Sequence, residues 1–475
     1  MRLPHIVFLV LDAVRYDRLA MNGYARTTMP GLEKLSLNGQ YFSQAFSTAP
    51  WTIPSQASMF TGRYPSEHGA TQATLRLGKD LPVLAEALRD RVGYRTCMFA
   101  TNSWFDPQTG LTRGFERVYG GPVRKTRKIR WRVFKLRKRI RSWLPPGRNM
   151  SLTRRQVADM IRALEEAHTG TKPHFLFANF MDAHLPLRPS PQALQQFLEA
   201  ERWTRAKEIG IPAIERAYVL GQRELSAGDL QVLSDLYDAA LFDLDLALGD
   251  LFAALCSPQL SGRVLLVITA DHGENLGEHN LMGHQFCLYD TLIHVPLILY
   301  WPGVIPAGSS DRLVQLTDLY HTILSVVGVD NTGLGVRSEF DLLRDDGEYP
   351  EREEIMAEYA RPVMSIQTLL RYTKDASSVS HLDRELVALR TKRYKYIYVE
   401  VVGNPSELYD VSTDPRETHN LVIDHPEIAA RMRNRLLEWR SQLACGQADQ
   451  VEAGQGVLDD MDEVVTKRLE DLGYL

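Results

Sequence analysis

Four short apolar runs, each followed at once by polar residues, limit the folds open to this chain. The runs are residues 5–11, 94–100, 174–181 and 263–270. They are short and rich in strand-forming residues, and segments of helical period separate them. This alternation predicts an α/β domain with a mixed, mostly parallel sheet flanked by helices.

The polar residues after these runs define a candidate site. In a sheet of parallel strands, the carboxyl ends of the strands line the ligand crevice. We therefore expect the residues at these ends to share one site. They are Asp12, Asn102, Asp182, His184, Asp271 and His272.

Thr52 lies at the start of a short, well-delimited helix. Pro54 is typical of a first helical turn, and Gly62 is typical of a helix end. The backbone N–H groups and the dipole of such a helix start attract an anionic sulfuryl or phosphoryl group. Thr52 is the candidate nucleophile, and the alternative is that it only caps the helix.

A hydroxyl, an imidazole and two carboxylates together predict a site for a divalent cation. The proposed ligands are Asp12, Thr52, Asp271 and His272. The cation would lower the pKa of the Thr52 hydroxyl and neutralise charge on the transferred group. Each of these residues could instead have a structural role, as a loop cap or an ion-pair partner, so the prediction depends on their combination.

The sequence resembles the sulfatases and their relatives in the alkaline phosphatase superfamily, over nearly its full length. This resemblance implies an alkaline-phosphatase-like sheet followed by a smaller C-terminal α+β domain. The similarity is carried by residues 12–17, 54–58, 61–65, 67–69, 271–279, 283–284 and 295–297, and near the end by residues 393–396, 407–410 and 414–415.

The residue at position 52 narrows the chemistry that the resemblance implies. Sulfatases place a cysteine or serine there, which is oxidised to formylglycine, and threonine cannot form that aldehyde. In the phosphodiesterase and phosphotransferase members of the superfamily, threonine itself attacks phosphorus. Gln56 stands where sulfatases usually carry an arginine, which removes a positive charge and leaves Gln56 as a substrate-binding candidate.

Other departures from the sulfatase pattern affect the cation. Sulfatases often have paired aspartates where this chain has Asp12 and Ala13, and an asparagine where it has His272. One carboxylate fewer and one imidazole more favour zinc or manganese over calcium or magnesium. The arrangement is similar to that of the phosphonate monoester hydrolases. One divalent cation is expected, and a second remains an alternative.

The resemblance also assigns residues to the substrate and the leaving group. His284 falls where the family often has a lysine that contacts the anion, and His184 where it has a histidine beside the scissile oxygen. Both are candidate catalytic residues, with structural surface histidines as the alternative. Asn102 replaces a family lysine or histidine and could bind a substrate oxygen. Asp182 is a substrate-binding candidate, or a ligand of a second cation with the two histidines.

The length of 475 residues and the hydrophobic content of 44% allow a large core and more than one domain. We expect a catalytic domain over residues 1–370, with helical insertions at about 106–165 and 190–230. A C-terminal domain with an antiparallel sheet and a helix is expected over residues 380–475.

Residues 124–148 contain twelve lysines and arginines and no acidic residue, which leaves a charge of −16 for the rest of the chain. An apolar stripe with aromatic residues runs through this segment and predicts an amphipathic helix that binds an anionic membrane surface. The alternative is a helix whose stripe packs on the protein. Nucleic acid is disfavoured as a partner because the remainder of the chain is acidic.

The four cysteines have no metal-ligand spacing and are typical of reduced thiols. The first apolar run is too short for a secretion signal, and no run is long enough to span a membrane. We therefore expect a cytoplasmic protein, with peripheral binding at the inner face of the membrane as an extension. A homo-oligomer is left open.

Taken together, the residues predict a metal-dependent hydrolase or transferase acting on an anionic ester. The predicted substrates are phosphate or phosphonate esters and diesters, or sulfate esters, with Thr52 as the nucleophile. One alternative is a true sulfatase that uses unmodified Thr52. Another is a catalytically degenerate protein that binds an anionic glycan or lipid.

Overall fold

A computed structural model describes residues 3–120, 148–330, 340–343, 351–373, 375–400, 405–444 and 463–472. Nearly all of the basic segment 124–148 lies outside these residues, so the amphipathic helix stays a prediction. None of the described helices is long and apolar enough to cross a membrane.

An eight-stranded sheet forms the centre of the molecule. Short two-stranded pairs lie beside it, and a separate four-stranded sheet follows it in the chain. The strands in chain order are β1 His5–Leu11, β2 Gln40–Phe42, β3 Ala45–Phe46, β4 Arg95–Ala100, β5 Arg117–Tyr119, β6 His174–Phe180, β7 Val264–Thr269, β8 Asn275–Leu276, β9 Met282–Gly283, β10 Leu297–Tyr300, β11 Gly308–Ser310, β12 Val314–Gln315, β13 Glu354–Tyr359, β14 Leu386–Thr391, β15 Tyr394–Val399 and β16 Glu407–Asp410. The order in the eight-stranded sheet is β11-β2-β10-β7-β1-β6-β4-β5.

The four apolar runs are the four adjacent strands β7, β1, β6 and β4, all of which pair in parallel. Every residue of β1 and of β6 is buried, as expected for strands covered on both faces. Strand β10 pairs antiparallel with β7, which makes the sheet mixed. The prediction of a mixed, mostly parallel sheet is confirmed.

Helices cover the central sheet, and their apolar side chains join those of the strands in one large core. The longest helix, Ala227–Leu255, begins with Ser226, whose hydroxyl accepts from the N–H of Asp229. The helices are Pro30–Ser36, Thr52–Thr61, Pro65–His68, Leu84–Ala87, the π-helical turn Leu88–Val92, Arg148–Thr169, Pro191–Phe197, Trp203–Ile209, Pro212–Val219, Ala227–Leu255, Asp290–Ile293, Asp318–Val326, Val363–Leu370, Pro426–Ala444 and Glu463–Asp471.

The second sheet starts earlier in the chain than the sequence suggested. Its strands β13, β14, β15 and β16 are all antiparallel. Helix Pro426–Ala444 packs on it through a separate apolar cluster that contains Met356 and Leu436. Since β13 spans Glu354–Tyr359, the boundary predicted near residue 370 falls inside this unit and not before it.

The two predicted insertions differ in content. Residues 190–230 contain the helices Pro191–Phe197, Trp203–Ile209 and Pro212–Val219. The range 106–165 is not wholly helical, because it includes β5, which pairs in parallel with β4 at one edge of the central sheet. A sequence of three residues, Arg117–Tyr119, gives too short a periodic pattern to predict such an edge strand.

Candidate active site

Three buried ligands meet at the carboxyl edge of the central sheet. Asp12 directly follows β1, and Asp271 and His272 follow the neighbouring strand β7. One side-chain ligand atom from each of the three lies within 4.8 Å of the others. The sequence analysis predicted that these residues lie close together, because adjacent parallel strands end at the same edge of the sheet.

The imidazole of His272 presents Nε2 to this cluster. Its Nδ1 lies 2.8 Å from the carbonyl oxygen of Gly273, which can only accept, so Nδ1 carries the proton. Nε2 faces the cluster, 3.5 Å from Oδ1 of Asp12 and 3.8 Å from Oδ1 of Asp271. A backbone carbonyl that fixes the tautomer in this way is typical of a histidine that binds a metal.

Two asparagine side chains hold the carboxylate of Asp12. Asn102 donates to Oδ2 at 3.0 Å, and Asn179 donates to the same oxygen at 3.1 Å. The other oxygen, Oδ1, is buried and has no hydrogen-bond partner among the described residues. Asn102 was predicted to bind substrate; in the structure its amide contacts Asp12, a candidate metal ligand.

The sequence analysis did not identify Asn179 as part of the site, although a polar residue within an apolar strand was a signal for it. It lies inside β6, a strand whose other central residues are apolar, and it is fully buried. A polar side chain in such a strand needs a buried partner, because an unpaired amide is costly there. Its amide finds that partner in Asp12, at the site itself.

Thr52 is the first residue of helix Thr52–Thr61, and Trp51, with an extended backbone, is its N-cap. The alternative role of Thr52 as the cap is therefore wrong. The Thr52 hydroxyl oxygen lies 3.3 Å from Nε2 of His272. Gly62 ends the helix with φ of 67°, a left-handed conformation that glycine adopts without steric cost.

The helix start is tied to the loop that carries Asp271. Ser55 donates its hydroxyl to the backbone oxygen of Asp271 at 2.7 Å. Gln56 donates its side-chain amide to Oδ2 of the same residue at 3.0 Å. Gln56, predicted to bind substrate, thus holds the side chain of Asp271, a candidate metal ligand, and these two bonds link the start of the helix to the cluster.

The electrostatics of the cluster fit a divalent cation. Burial raises the pKa of Asp271 well above its ordinary value, and the nearby carboxylate of Asp12 raises it further. Two buried carboxylates at this distance repel each other, and Oδ1 of Asp12 lacks a donor. A divalent cation held by Asp12, Asp271, His272 and the Thr52 hydroxyl would offset the repulsion and satisfy that oxygen.

A row of histidine rings leads away from the cluster. The ring of His284 stacks on that of His272 with centroids 4.5 Å apart, and the ring of His184 lies 4.8 Å from His284. Nδ1 of His284 also lies 3.4 Å from Oε2 of Glu274, a buried residue that the sequence analysis did not single out. Its place two residues after His272 in the same motif was the available signal.

Asp182 lies at the far end of this row. It is buried, and its Oδ2 accepts a hydrogen bond of 2.5 Å from the hydroxyl of Thr153. Among the described residues, the only close group of three metal ligands is the one at Asp12, so Asp182, His184 and His284 do not form a second such group.

The turn after Asp12 has an unusual backbone. Ala13 has φ of 63°, in the left-handed region that non-glycine residues rarely adopt. The hydroxyl of Tyr237 donates to the carbonyl oxygen of Ala13 at 2.6 Å and accepts from the N–H of Arg15 at 2.9 Å. This pair of bonds holds the turn that aims Asp12 into the site.

Comparison with known families identifies the chain. The sequence model described as sulfatase matches residues 4–329, and that described as the C-terminal part of N-sulphoglucosamine sulphohydrolase matches residues 277–442. The chain belongs to the sulfatase family, within the alkaline phosphatase superfamily. The resemblance stated from the motifs is confirmed, and with it the class of enzyme, an ester hydrolase.

Individual relatives are distant but similar over most of their length. Arylsulfatase K of Gallus gallus is 24% identical, over 89% of this chain and 80% of the relative. The structure of phosphonate monoester hydrolase of Agrobacterium radiobacter matches with a TM-score of 0.68 at 20% identity, covering 93% of this chain and 96% of the other. A protein solved with its substrate D-glucosamine-2-N,6-O-disulfate matches with a TM-score of 0.70 at 18% identity, covering 95% and 100%. These structures share the fold of this chain.

Proposed function

We propose that the protein is a metal-dependent hydrolase that cleaves phosphate or phosphonate esters or diesters, with Thr52 as the nucleophile. The observation that carries the proposal is the 3.3 Å distance between the Thr52 hydroxyl and Nε2 of His272, at the focus of the three ligands. A hydroxyl at the first position of a helix also lies at the positive end of the helix dipole, which favours an anionic substrate.

When bound, a divalent cation would lower the pKa of the Thr52 hydroxyl and offset charge on the transferred group. Asp12, Asp271 and His272 would hold it, with zinc or manganese favoured because one ligand is an imidazole. Asn102, Asn179 and Gln56 keep the two carboxylates in place through their amide N–H groups.

Thr52 acts in two steps. Its oxygen, with the hydroxyl proton released to water, bonds to phosphorus while the bond from phosphorus to the leaving oxygen breaks. The leaving oxygen takes a proton from the pair His184 and His284, whose rings are adjacent. Water then attacks phosphorus and gives one proton to the histidine pair, while the bond from phosphorus to Thr52 breaks and the Thr52 oxygen regains a proton from solvent water. If another hydroxyl replaces water, the enzyme is a transferase.

Two substitutions at position 52 test the nucleophile. Thr52→Ala should abolish turnover with the fold intact, and Thr52→Ser should retain a measurable part of it because the hydroxyl remains. Thr61→Ala, at the other end of the same helix, is the matched control, since the Thr61 hydroxyl bonds only within the helix, to Ala57. Unchanged turnover in Thr52→Ala would contradict the mechanism.

A substrate panel decides between phosphorus and sulfur. The purified protein, loaded separately with zinc, manganese, calcium and magnesium, is assayed with an aryl sulfate, a phosphate monoester, a phosphodiester and a phosphonate monoester. Faster cleavage of the phosphorus esters supports the proposal. Faster cleavage of the aryl sulfate would favour the second candidate, a sulfatase with unmodified Thr52, to which the sulfatase family match lends weight.

A protein that binds an anionic glycan or lipid without chemistry is the remaining alternative. The intact ligand set of Asp12, Asp271 and His272 argues against it. A metal titration in which the purified protein binds none of the four cations would revive it, because the reaction above needs one.

We further propose a cytoplasmic protein that binds an anionic membrane surface through residues 124–148. The supporting observation is the run of twelve basic residues in that segment, and co-sedimentation with vesicles rich in anionic lipid tests it.

The described cysteines, Cys97, Cys256 and Cys287, are free thiols, which fits a reducing compartment. Whether the chain forms a homo-oligomer is a matter for sedimentation measurements.

A further inference from the structure

The loop of residues 283–286, which carries His284, has two residues in the left-handed backbone region. Gly283, at the end of β9, has φ of 81°, and Phe286 has φ of 71°. A side chain at position 283 would collide with the carboxyl group of Glu215, since its Cβ would lie 2.2 Å from Oε1. Phe286 has a Cβ of its own, so its conformation is strained and persists only where neighbouring contacts hold it.

Gln285 connects this loop to the second sheet. Its Oε1 accepts three hydrogen bonds, from the hydroxyl of Tyr359 at 2.8 Å, from Nε2 of Gln72 at 2.7 Å and from the hydroxyl of Ser365 at 3.2 Å. Tyr359 is the last residue of β13, and Ser365 lies in the helix Val363–Leu370 that follows this strand. All four of these residues are buried. The hydrogen bonds therefore attach the loop to the end of a buried strand of the second sheet.

The direction of each hydrogen bond follows from the groups present. The backbone N–H of Ser365 can only donate, and it donates to Oε1 of Gln72 at 3.1 Å. Nε2 of Gln72 is therefore the donor to Gln285, whose Oε1 must accept. Burial raises the pKa of Tyr359, and the backbone N–H of Phe286, which interacts with its hydroxyl, offsets that effect only in part. The phenol thus keeps its proton, and Tyr359 contacts two successive residues of the loop.

The ring of His284 depends on this loop for its placement. It stacks on the ring of His272 with centroids 4.5 Å apart and lies 4.8 Å from the ring of His184. Its Nδ1 lies 3.4 Å from Oε2 of Glu274, which is long for a hydrogen bond. Ring stacking and a long hydrogen bond tolerate sliding and tilting of the imidazole, so the backbone of the loop has to define where the ring nitrogens lie.

We propose that Tyr359 is a positioning residue for His284. Its hydroxyl holds Gln285 and Phe286 and thereby keeps the strained loop in the conformation that stacks the His284 ring on His272. The second sheet then contributes to the reaction through the loop that it holds. The inference rests on the proposed function, because it assumes that His284 helps to protonate the leaving oxygen.

Leaving groups of different basicity separate this role from a purely structural one. The probes are phenyl methylphosphonate and 4-nitrophenyl methylphosphonate, which share the transferred group, and phenoxide is the more basic leaving group. Proton donation matters most for the more basic leaving oxygen. Tyr359→Phe, assayed at saturating zinc, should therefore lower kcat/KM for the phenyl ester about tenfold or more, and for the 4-nitrophenyl ester by less than about threefold.

Tyr94→Phe is the matched control. Tyr94 is buried like Tyr359, and its hydroxyl donates to the carbonyl oxygen of Pro4 at 2.8 Å, at the opposite, amino edge of the central sheet. This substitution also removes one buried hydrogen bond, but it should change the two kcat/KM values by the same factor. Ser365→Ala removes another donor to Gln285 and should shift their ratio in the same direction as Tyr359→Phe, by a smaller factor. Thermal unfolding verifies that each variant is folded.

A spectroscopic measurement follows the ring without turnover. Histidine labelled with a stable carbon isotope at Cε1 is incorporated into the zinc-loaded protein, and the NMR signal of His284 is the one that His284→Gln removes. Tyr359→Phe should move this signal, because the shielding of the ring depends on how it stacks on His272. Tyr94→Phe should leave it in place.

Two results would each overturn the inference. One is a fall in kcat/KM for the phenyl ester of Tyr359→Phe that does not exceed the fall for the 4-nitrophenyl ester, and the other is a His284 signal that stays in place. Failure of the proposed function appears differently, as absence of Thr52-dependent turnover of either ester in the wild-type protein. In that case the His284 signal alone decides whether Tyr359 positions the ring.

Discussion

Asn179 donates its side-chain N–H to Oδ2 of Asp12 at 3.1 Å, from the carboxyl end of β6, the strand adjacent to the one that Asp12 follows. Asn102 donates to the same oxygen. Together they occupy Oδ2 of Asp12 and leave Oδ1 open to a cation. The carboxylate of Asp12, a candidate metal ligand, is therefore held by two amides, one from β6 and one from the residues after β4.

Replacing either amide should weaken metal binding. We expect Asn179→Leu and Asn102→Ala each to lower the affinity for zinc or manganese by about 10- to 100-fold, as is usual for groups that orient metal ligands. Competition with a chromophoric chelator measures the affinity. Turnover at saturating metal should fall less than turnover at limiting metal, and an unchanged metal affinity in both variants would contradict this role.

The turn at Ala13 gives a prediction for stability. Tyr237→Phe leaves the carbonyl of Ala13 and the N–H of Arg15 without their partner, which should cost about 1–3 kcal/mol in the free energy of unfolding. Ala13→Gly should stabilise by about 1 kcal/mol, because glycine adopts the left-handed conformation without strain.

Urea unfolding of the two variants and of the double variant measures these effects. The residues contact each other, so their effects should not be additive. If Ala13→Gly destabilises the protein, the strain assigned to this turn is wrong.

A buried ion cluster joins the second sheet to the catalytic part of the molecule. Lys395, fully buried on β15, lies 2.8 Å from Asp290 and 2.7 Å from Glu417. Lys395→Met should destabilise the protein by about 3–5 kcal/mol, because it leaves the buried Glu417 without its cation and leaves Asp290 with Arg390 as its cationic partner. Lys392→Met, which breaks only an exposed pair with Asp311, should change stability by less than about 1 kcal/mol. Equal effects of the two substitutions in denaturant unfolding would contradict this assignment.

The sequence predicted the main sheet and the grouping of Asp12, Asp271 and His272 because both follow from local patterns. Each apolar run ends where its strand ends, so Asp12 and Asp271 could be placed at one edge before their contact was known. The sequence left open whether Thr52 is the N-cap or the first helical residue, since that choice depends on the backbone angles of Trp51.

Pairings between residues that are far apart in sequence cannot be predicted from such local patterns. Strand β13 pairs with β14 across a separation that no local signal marks, so the sequence did not place β13 in the second sheet. Gln72, Gln285 and Tyr359 come together only in the folded chain, and nothing in their neighbouring residues relates them. Asn179 lay within reach of prediction, because a buried amide in an apolar strand requires a partner.

The carboxyl group of Asp182 should make stability depend on pH. Burial raises its pKa to about 6, from an ordinary value near 3.8. As pH rises from about 4 to 6, the unfolded chain releases this proton while the folded protein keeps it, so the folded state loses stability. Above the folded pKa the loss is complete, at roughly 3 kcal/mol.

Asp182→Asn removes this titration and keeps an acceptor for Thr153. The variant should therefore gain stability relative to the wild type as pH rises from 4 to 7, with little difference at pH 4 and the largest at pH 7. Thr153→Val, which removes the hydrogen bond that lowers the pKa of Asp182, should move the transition to higher pH. Urea unfolding at intervals of pH measures all three proteins, and a constant difference between Asp182→Asn and the wild type would show that Asp182 does not titrate in this range.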